Sequence, residues 1–146
     1  MSNCTSCSPG YYLRLDNMCY STCLPRFFPN TLSLVCDNCP YDCYTCDSKG
    51  NCLTCNRTTD FRALLVNSTT QTSRCVPMNG YFDSQIQIAS LCPASCSLCL
   101  NLTYCTSCSN NFFLRTDNQC YSTCLTRFYA DSSTNTCKNC LYDCYT

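Results

Sequence analysis

Apolar residues along the chain come in short bursts, and no stretch repeats them at the three- and four-residue spacing of an amphipathic helix. The bursts centre on aromatic pairs: Tyr11-Tyr12, Phe27-Phe28, Tyr81-Phe82, Phe112-Phe113 and Phe128-Tyr129. This pattern predicts short extended segments at Tyr11–Leu15, Phe61–Val66, Gln85–Ile88 and Phe112–Arg115. Turns are expected at Asp16-Asn17, Asn79-Gly80 and Asp117-Asn118. No apolar run approaches the ~18 residues of a transmembrane helix.

The pattern repeats. Seven cysteines from Cys4 to Cys43 return in the same order 101 positions later, from Cys105 to Cys144. CTSCSPGYYLRLDNMCYSTC is matched by CTSCSNNFFLRTDNQCYSTC, whereas loops such as 29–35 and 130–136 differ freely. The repeat is therefore a cysteine framework carrying exchangeable loops.

Composition changes the picture of what holds it together. Of 146 residues 21 are cysteine, well above the roughly 8–10% that marks a disulfide scaffold. Crosslinks are expected to replace a core, with the aromatic pairs packing on local disulfides or, alternatively, forming an exposed docking strip. Nine basic residues balance nine acidic ones with no run of either sign, which gives no basis for nucleic-acid or anionic-membrane binding. Asn-X-Ser/Thr sequons stand at Asn3, Asn56, Asn67 and Asn101. Cysteine density and sequons together point to the secretory route and an extracellular or cell-surface location. The start at Met1-Ser2-Asn3-Cys4 has neither a basic n-region nor an apolar h-region, and the expectation is that the chain is a segment of a longer polypeptide.

A second period lies inside the first. The series CxxCxxxCxxCx5CxxC runs from Cys36 to Cys55, and CxxxCxxCx5CxxC runs from Cys92 to Cys108. After Cys108 the module continues through Cys120, Cys124, Cys137 and Cys140, but after Cys55 only Cys75 precedes Cys92. Two cysteines are missing together, at the positions assigned to Asn79 and Ala89. A joint loss implies a bond, because losing one partner would leave a free thiol in an oxidising compartment. Cys124 is thus expected to pair with Cys137, and by the repeat Cys23 with Cys36. The organisation read from this is residues 1–38 as the end of a full module, 39–91 a lean module, 92–139 a second full module and 140–146 the start of the next.

These cysteine series resemble the furin-like cysteine-rich repeat of growth-factor receptors across nearly the whole chain. As a long tandem array with CxxC and GYY-like cores, the chain looks more like the large surface proteins of single-celled eukaryotes. The resemblance implies Cys39 with Cys46, Cys43 with Cys52, Cys92 with Cys99 and Cys96 with Cys105. It further implies single-disulfide loops from Cys7 to Cys19, Cys55 to Cys75 and Cys108 to Cys120. Three cysteines, Cys4, Cys140 and Cys144, are then left unpaired within the segment, with partners expected in neighbouring modules. The lean module departs from the family in lacking one loop bond, and its Cys55–Cys75 loop is longer than its counterparts.

The expected fold class is small and disulfide-rich: mostly irregular, with short β-hairpins in tandem modules stacked into an extended rod. Candidate chemistry is sparse. Seven CxxC pairs raise zinc and dithiol readings, but the chain has no histidine, and Cys43/Cys46 and Cys52/Cys55 lie too close for the usual zinc knuckles. The redox reading lacks a βαβ context, and hydrolysis lacks the ordinary base. No catalytic residue, metal site or cofactor is expected, and the chain is read as a non-enzyme. Asp16, Asp42, Asp117 and Asp143 recur with the repeat and read as turn caps, with calcium the alternative. Asn67, in the longest loop, is the best glycosylation candidate, ahead of Asn56, Asn101 and Asn3, and nearby threonines suit O-linked sugars.

The function expected is structural: a segment of a glycosylated, disulfide-stapled repeat protein that self-associates into a surface coat, stalk or fibre. The rival is a receptor or adhesin ectodomain whose modules space or bind a protein ligand.

Overall fold

The computed structural model describes residues 4–140. Asn3 and Cys144 lie outside them, as does Asp143. Among the described residues there are only short strands, sixteen in all, and no helix. None is therefore a helix long and apolar enough to cross a membrane. The chain divides into two compact units, Met1–Val76 with Gln85–Ile88, and Pro77–Ser84 with Ala89–Thr146.

In the first unit, β1 (Tyr12–Leu13), β2 (Cys19–Tyr20), β3 (Phe27–Asn30) and β4 (Val35–Asn38) form one sheet in the order β2-β1-β4-β3. Strands β1 and β2 pair antiparallel, β1 and β4 meet in parallel at Leu13 and Val35, and β3 and β4 make an antiparallel hairpin. Two further hairpins follow, β5 (Thr45–Cys46) with β6 (Cys52–Thr54), and β7 (Arg62–Asn67) with β8 (Thr72–Pro77).

The second unit opens on β9 (Tyr81–Phe82) paired with β10 (Ser90–Leu91), followed by the hairpin of β11 (Cys96–Asn101) and β12 (Tyr104–Cys108). It closes on β13 (Phe113–Leu114), β14 (Cys120–Tyr121), β15 (Phe128–Asp131) and β16 (Thr136–Asn139). Their order, β14-β13-β16-β15, repeats the first sheet, including the parallel contact, here Leu114 with Thr136.

The repeat extends to backbone conformation. Asn17 and Asn118, Arg26 and Arg127, and Leu34 and Asn135 are left-handed pairs 101 residues apart, and Gly10 is matched by Asn111. Left-handed backbone favours glycine or asparagine, so an arginine there must be held by its surroundings. Arg26 and Arg127 each start a hairpin: their carbonyls accept the N–H groups of Cys39 and Cys140, at 2.8 and 2.9 Å.

The lean module keeps this entry turn with Gly80. The Cys92 N–H donates to Gly80 O at 2.8 Å, and Tyr81 N–H to Met78 O, as Phe128 N–H does to Leu125 O. That superposition places Met78 on Leu125, so the lean counterpart of Cys124 is Pro77, not Asn79. The hairpin arrives two residues sooner after Cys75 than cysteine counting suggests. Ala89, the counterpart of Cys137, is buried.

Of the expected extended segments, Gln85–Ile88 is not a strand. Gln85 is left-handed, and the carbonyls of Ile86 and Gln87 accept hydrogen bonds from a side chain, Arg62, rather than from a neighbouring strand.

Nearly all the buried apolar residues are cysteines. Cys43, Cys46, Cys52 and Cys75 form one cluster with Phe28 packed on it. Cys92, Cys96, Cys99, Cys105, Cys108 and Cys120 form another, with Phe82, Phe112 and Leu114. One member of several aromatic pairs thus packs on sulfur, while Tyr11 and Tyr129 remain half exposed.

Candidate functional site

Nine disulfides among the described residues build the framework. Those of the first unit join Cys7 to Cys19, Cys23 to Cys36, Cys39 to Cys46, Cys43 to Cys52 and Cys55 to Cys75. The second unit has Cys92 with Cys99, Cys96 with Cys105, Cys108 with Cys120 and Cys124 with Cys137. Their Cα–Cα distances run from 5.0 to 5.8 Å, the usual spacing for bridged cysteines. Short strands explain the pairing locally, since Cys46 and Cys52 face each other across β5–β6, and Cys99 and Cys105 across β11–β12. Cys46, Cys52 and Cys99 then bond outside their hairpins, to Cys39, Cys43 and Cys92, while Cys105 bonds to Cys96 at the start of β11. Cys4 carries a half-buried thiol, and its N–H donates to Asn17 O at 2.8 Å. Its repeat counterpart, Cys105, is bonded to Cys96.

The first unit also encloses charge. Asp42, Asp60 and Arg62 are 2%, 1% and 0% exposed. A buried ion must be paired or hydrogen-bonded to be tolerated: the two aspartates meet arginines, and Arg62 meets backbone carbonyls. Asp60 makes an ion pair with Arg26, 34 residues earlier, and accepts the Thr59 hydroxyl. Arg26 also donates to Cys43 O at 3.3 Å. These bonds hold Arg26 at its left-handed position. Asp42 accepts the Cys75 N–H at 3.3 Å and lies 3.5 Å from Nε of Arg74. Arg62 donates to Cys75 O at 3.3 Å, Gln87 O at 3.2 Å and Ile86 O at 3.0 Å, with its guanidinium 5.4 Å from the Tyr41 ring.

This network differs from the expectation for Asp42, whose carboxylate is interior rather than a surface turn cap. Asp16 and Asp117 do cap turns, accepting the N–H of Met18 and Gln119 and the hydroxyls of Tyr20 and Tyr121. The Asp16 carboxylate holds the Tyr20 phenol above its usual range. Above these tyrosines lie Arg14 and Arg115, 3.9 and 3.8 Å from the ring centres, each also donating to a threonine carbonyl, Thr22 O or Thr123 O. Reading the cysteines alone misses both arginine devices. A signal exists, because Arg14, Arg62 and Arg115 each stand seven residues after a cysteine, at Cys7, Cys55 and Cys108.

Two surface carboxylates are also perturbed. The Asn51 side-chain amide and N–H, donating to Asp47, hold its carboxyl below the usual range. Lys138, and then Ser133, do the same for Asp131 across β15–β16, and Asp131 in turn holds Lys138 above its usual value.

Among the described residues two groups bring potential metal ligands together: Asp42 with Cys43 and Cys52, and Cys96 with Cys105 and Cys120. All five sulfurs are in disulfides. A half-cystine has no thiolate to give a metal, so disulfide packing accounts for both groups. A cleft of about 170 Å³ in the first unit is lined by Arg14, Leu15, Asp16, Leu24, Phe27 and Cys36. The matching place in the second unit, at Arg115, Thr116, Leu125, Phe128 and Cys137, has no room for a water molecule.

The described sequons all sit at turns. Asn67 lies at the tip of β7–β8 and Asn101 at the tip of β11–β12, both exposed, and Asn56 is half-buried ahead of Asp60.

The chain is similar to cysteine-rich repeat proteins over nearly its whole length. It is 32% identical to the human extracellular matrix organizing protein FRAS1 over 94% of the chain, and 32% identical to furin-like protease 2 of Drosophila melanogaster over 99%. It is 31% identical to cysteine repeat modular protein 1 of Tetrahymena thermophila over 98%. The chain spans only 3%, 8% and 5% of those proteins. No family profile matches it.

Proposed function

We propose that this chain is a structural segment of an extracellular repeat protein, one that spans distance in a surface coat, stalk or fibre. The observation that carries the reading is the twofold recurrence of one disulfide-linked, four-stranded sheet, with the same strand order and the same left-handed turns, around loops that differ. A protein that preserves its framework and lets its loops drift is built for continuity, because each unit stabilises itself and contacts its neighbours in the same way. The extracellular assignment follows from the bonds: disulfides of this density persist in oxidising compartments and not in the cytosol. Relatives named for extracellular matrix organization and for cysteine repeats agree with it.

No catalytic role is proposed. The buried ions are spent on backbone groups and on Arg26 and Arg74, and the word protease in one relative's name belongs to a protein of which this chain matches 8%. Self-association of identical chains is the proposed partnership. The open cleft at Leu15, Leu24 and Phe27 favours a second reading, a receptor or adhesin ectodomain that holds an apolar side chain of a protein ligand, since the equivalent cleft is closed in the other copy.

Electron microscopy of native material separates the two. Filaments or a surface layer with a period commensurate with the repeat unit support the coat or fibre. Dispersed single particles that bind a second protein, and lose it on Leu24→Asp substitution, refute the coat and support the receptor.

A further inference from the structure

We infer that N-linked glycans on Asn67 and Asn101 cover exposed apolar hairpin arms and keep them from associating. The inference rests on the extracellular reading, and not on the coat or fibre.

Two independent observations meet at these tips. The first is exposed apolar surface. Beyond Ala63 strand β7 presents Leu64, Leu65 and Val66 to solvent in succession, Val66 being 62% exposed. A half-buried strand would alternate apolar with polar residues, but β7–β8 is a sheet of two strands with no third strand beside it among the described residues. Such an arm is a template for pairing with another chain. In β11–β12, Leu98, Leu100 and Leu102 are exposed in the same way, Leu100 by 63%.

The second observation is the state of the asparagine amides. Asn67 Oδ1 accepts the N–H of Thr69 at 3.0 Å and of Thr70 at 3.2 Å. Asn101 Oδ1 accepts the N–H of Thr103 at 2.9 Å and its hydroxyl at 3.0 Å. In both the oxygen is spent on the turn, while Nδ2 donates to no acceptor among the described residues. Asn30 and Asn51, outside any sequon, use Nδ2 internally, donating to Asp37 at 2.6 Å and Asp47 at 3.0 Å. A sugar at Asn67 or Asn101 therefore displaces no bond of the fold.

Placement does the rest. Asn67 shares a strand face with Leu65, about 7 Å away along the strand, and Asn101 ends β11 at the hairpin tip, paired with Tyr104 and next to exposed Leu102. A glycan of two or more sugars rooted there lies over these side chains and blocks approach to the strand edge. In the transfer, Nδ2 bonds to the anomeric carbon of an N-acetylhexosamine and gives up one proton. The carbon–oxygen bond to an activated diphosphate-linked oligosaccharide donor breaks, and the diphosphate leaves with the electron pair.

The test is the whole chain secreted from a eukaryotic host behind a cleavable leader, as wild type, as Thr69→Ala/Thr103→Ala and as Thr69→Ser/Thr103→Ser. The alanine pair removes both sequons and keeps both asparagine-capped turns; the serine pair keeps the sequons. With disulfides verified, the alanine pair is expected to lose two glycans by mass, bind several-fold more of an apolar-surface dye and sediment as larger species than wild type, while the serine pair behaves as wild type. Adding Leu65→Ser and Leu100→Ser to the alanine pair restores the wild-type sedimentation. Enzymatic removal of the glycans from folded wild type is expected to reproduce the alanine pair. Intact disulfides with bare Asn67 and Asn101 overturn the inference, as does a deglycosylated chain with unchanged dye binding and sedimentation. Secreted protein with reduced cysteines overturns instead the extracellular reading beneath it.

Discussion

Replacing Arg62 by methionine removes the guanidinium that ties Gln85–Ile88 to the first unit and leaves an apolar chain of similar length. Three carbonyls lose a charged donor, and they are not equivalent. The Cys75 carbonyl is interior, so its bond is lost without replacement, at ~1.5–3 kcal/mol. Gln87 and Ile86 belong to exposed residues, and water can partly replace Arg62 there, which limits each loss to ~0.5–1.5 kcal/mol. Together the three losses come to roughly 2.5–6 kcal/mol. Because disulfides hold the rest, the loss should appear as local opening. Amide exchange mapped by mass spectrometry is expected to quicken by roughly two to four orders of magnitude at residues 85–88 and around Cys75. The sheet of β13–β16, in the other unit, should exchange as before. Unchanged protection at 85–88, or equal loss in both units, would refute the reasoning.

Two further outcomes are expected. Peptide mapping without reduction should recover all nine bonds, and a peptide joining Cys124 to any cysteine other than Cys137 would break the framework. Acid should loosen the β15–β16 hairpin. Asp131 has a depressed folded pKa, so its pairing stabilises above the unfolded carboxylate pKa and is lost as pH falls through the folded value. Asp131→Asn should abolish that acid dependence, as followed by NMR at Thr136 and Lys138, with no change in the matching β3–β4 hairpin.

Much of the fold was legible because its information is local. The bonds in the structure join residues 7 to 20 apart, and spacings that recur 101 residues later express the loops those bonds close. The absence of any 3.6-residue apolar pattern excludes helices, and Asn17, Gly80 and Asn118 mark turns through the left-handed backbone they accept. Cysteine counting erred at Asn79 because a hairpin is located by its turn and not by distance from the last cysteine. Only Gly80, seen carrying the bond that Arg26 and Arg127 carry, places Pro77 opposite Cys124.

What tertiary structure alone decided involves residues with distant partners. Asp42 looks like its recurring neighbours Asp16 and Asp117, yet it is interior because Cys75 and Arg74, more than thirty residues later, close over it. Arg14, Arg62 and Arg115 share one offset from a cysteine, but only Arg62 is enclosed, because the lean module folds Gln85–Ile88 onto it. The sequons were visible as triplets. That two of them sit at the tips of hairpins whose apolar side chains are exposed depends on the tertiary structure. A linear pattern records which side chains a residue precedes, whereas burial is set by which surfaces meet.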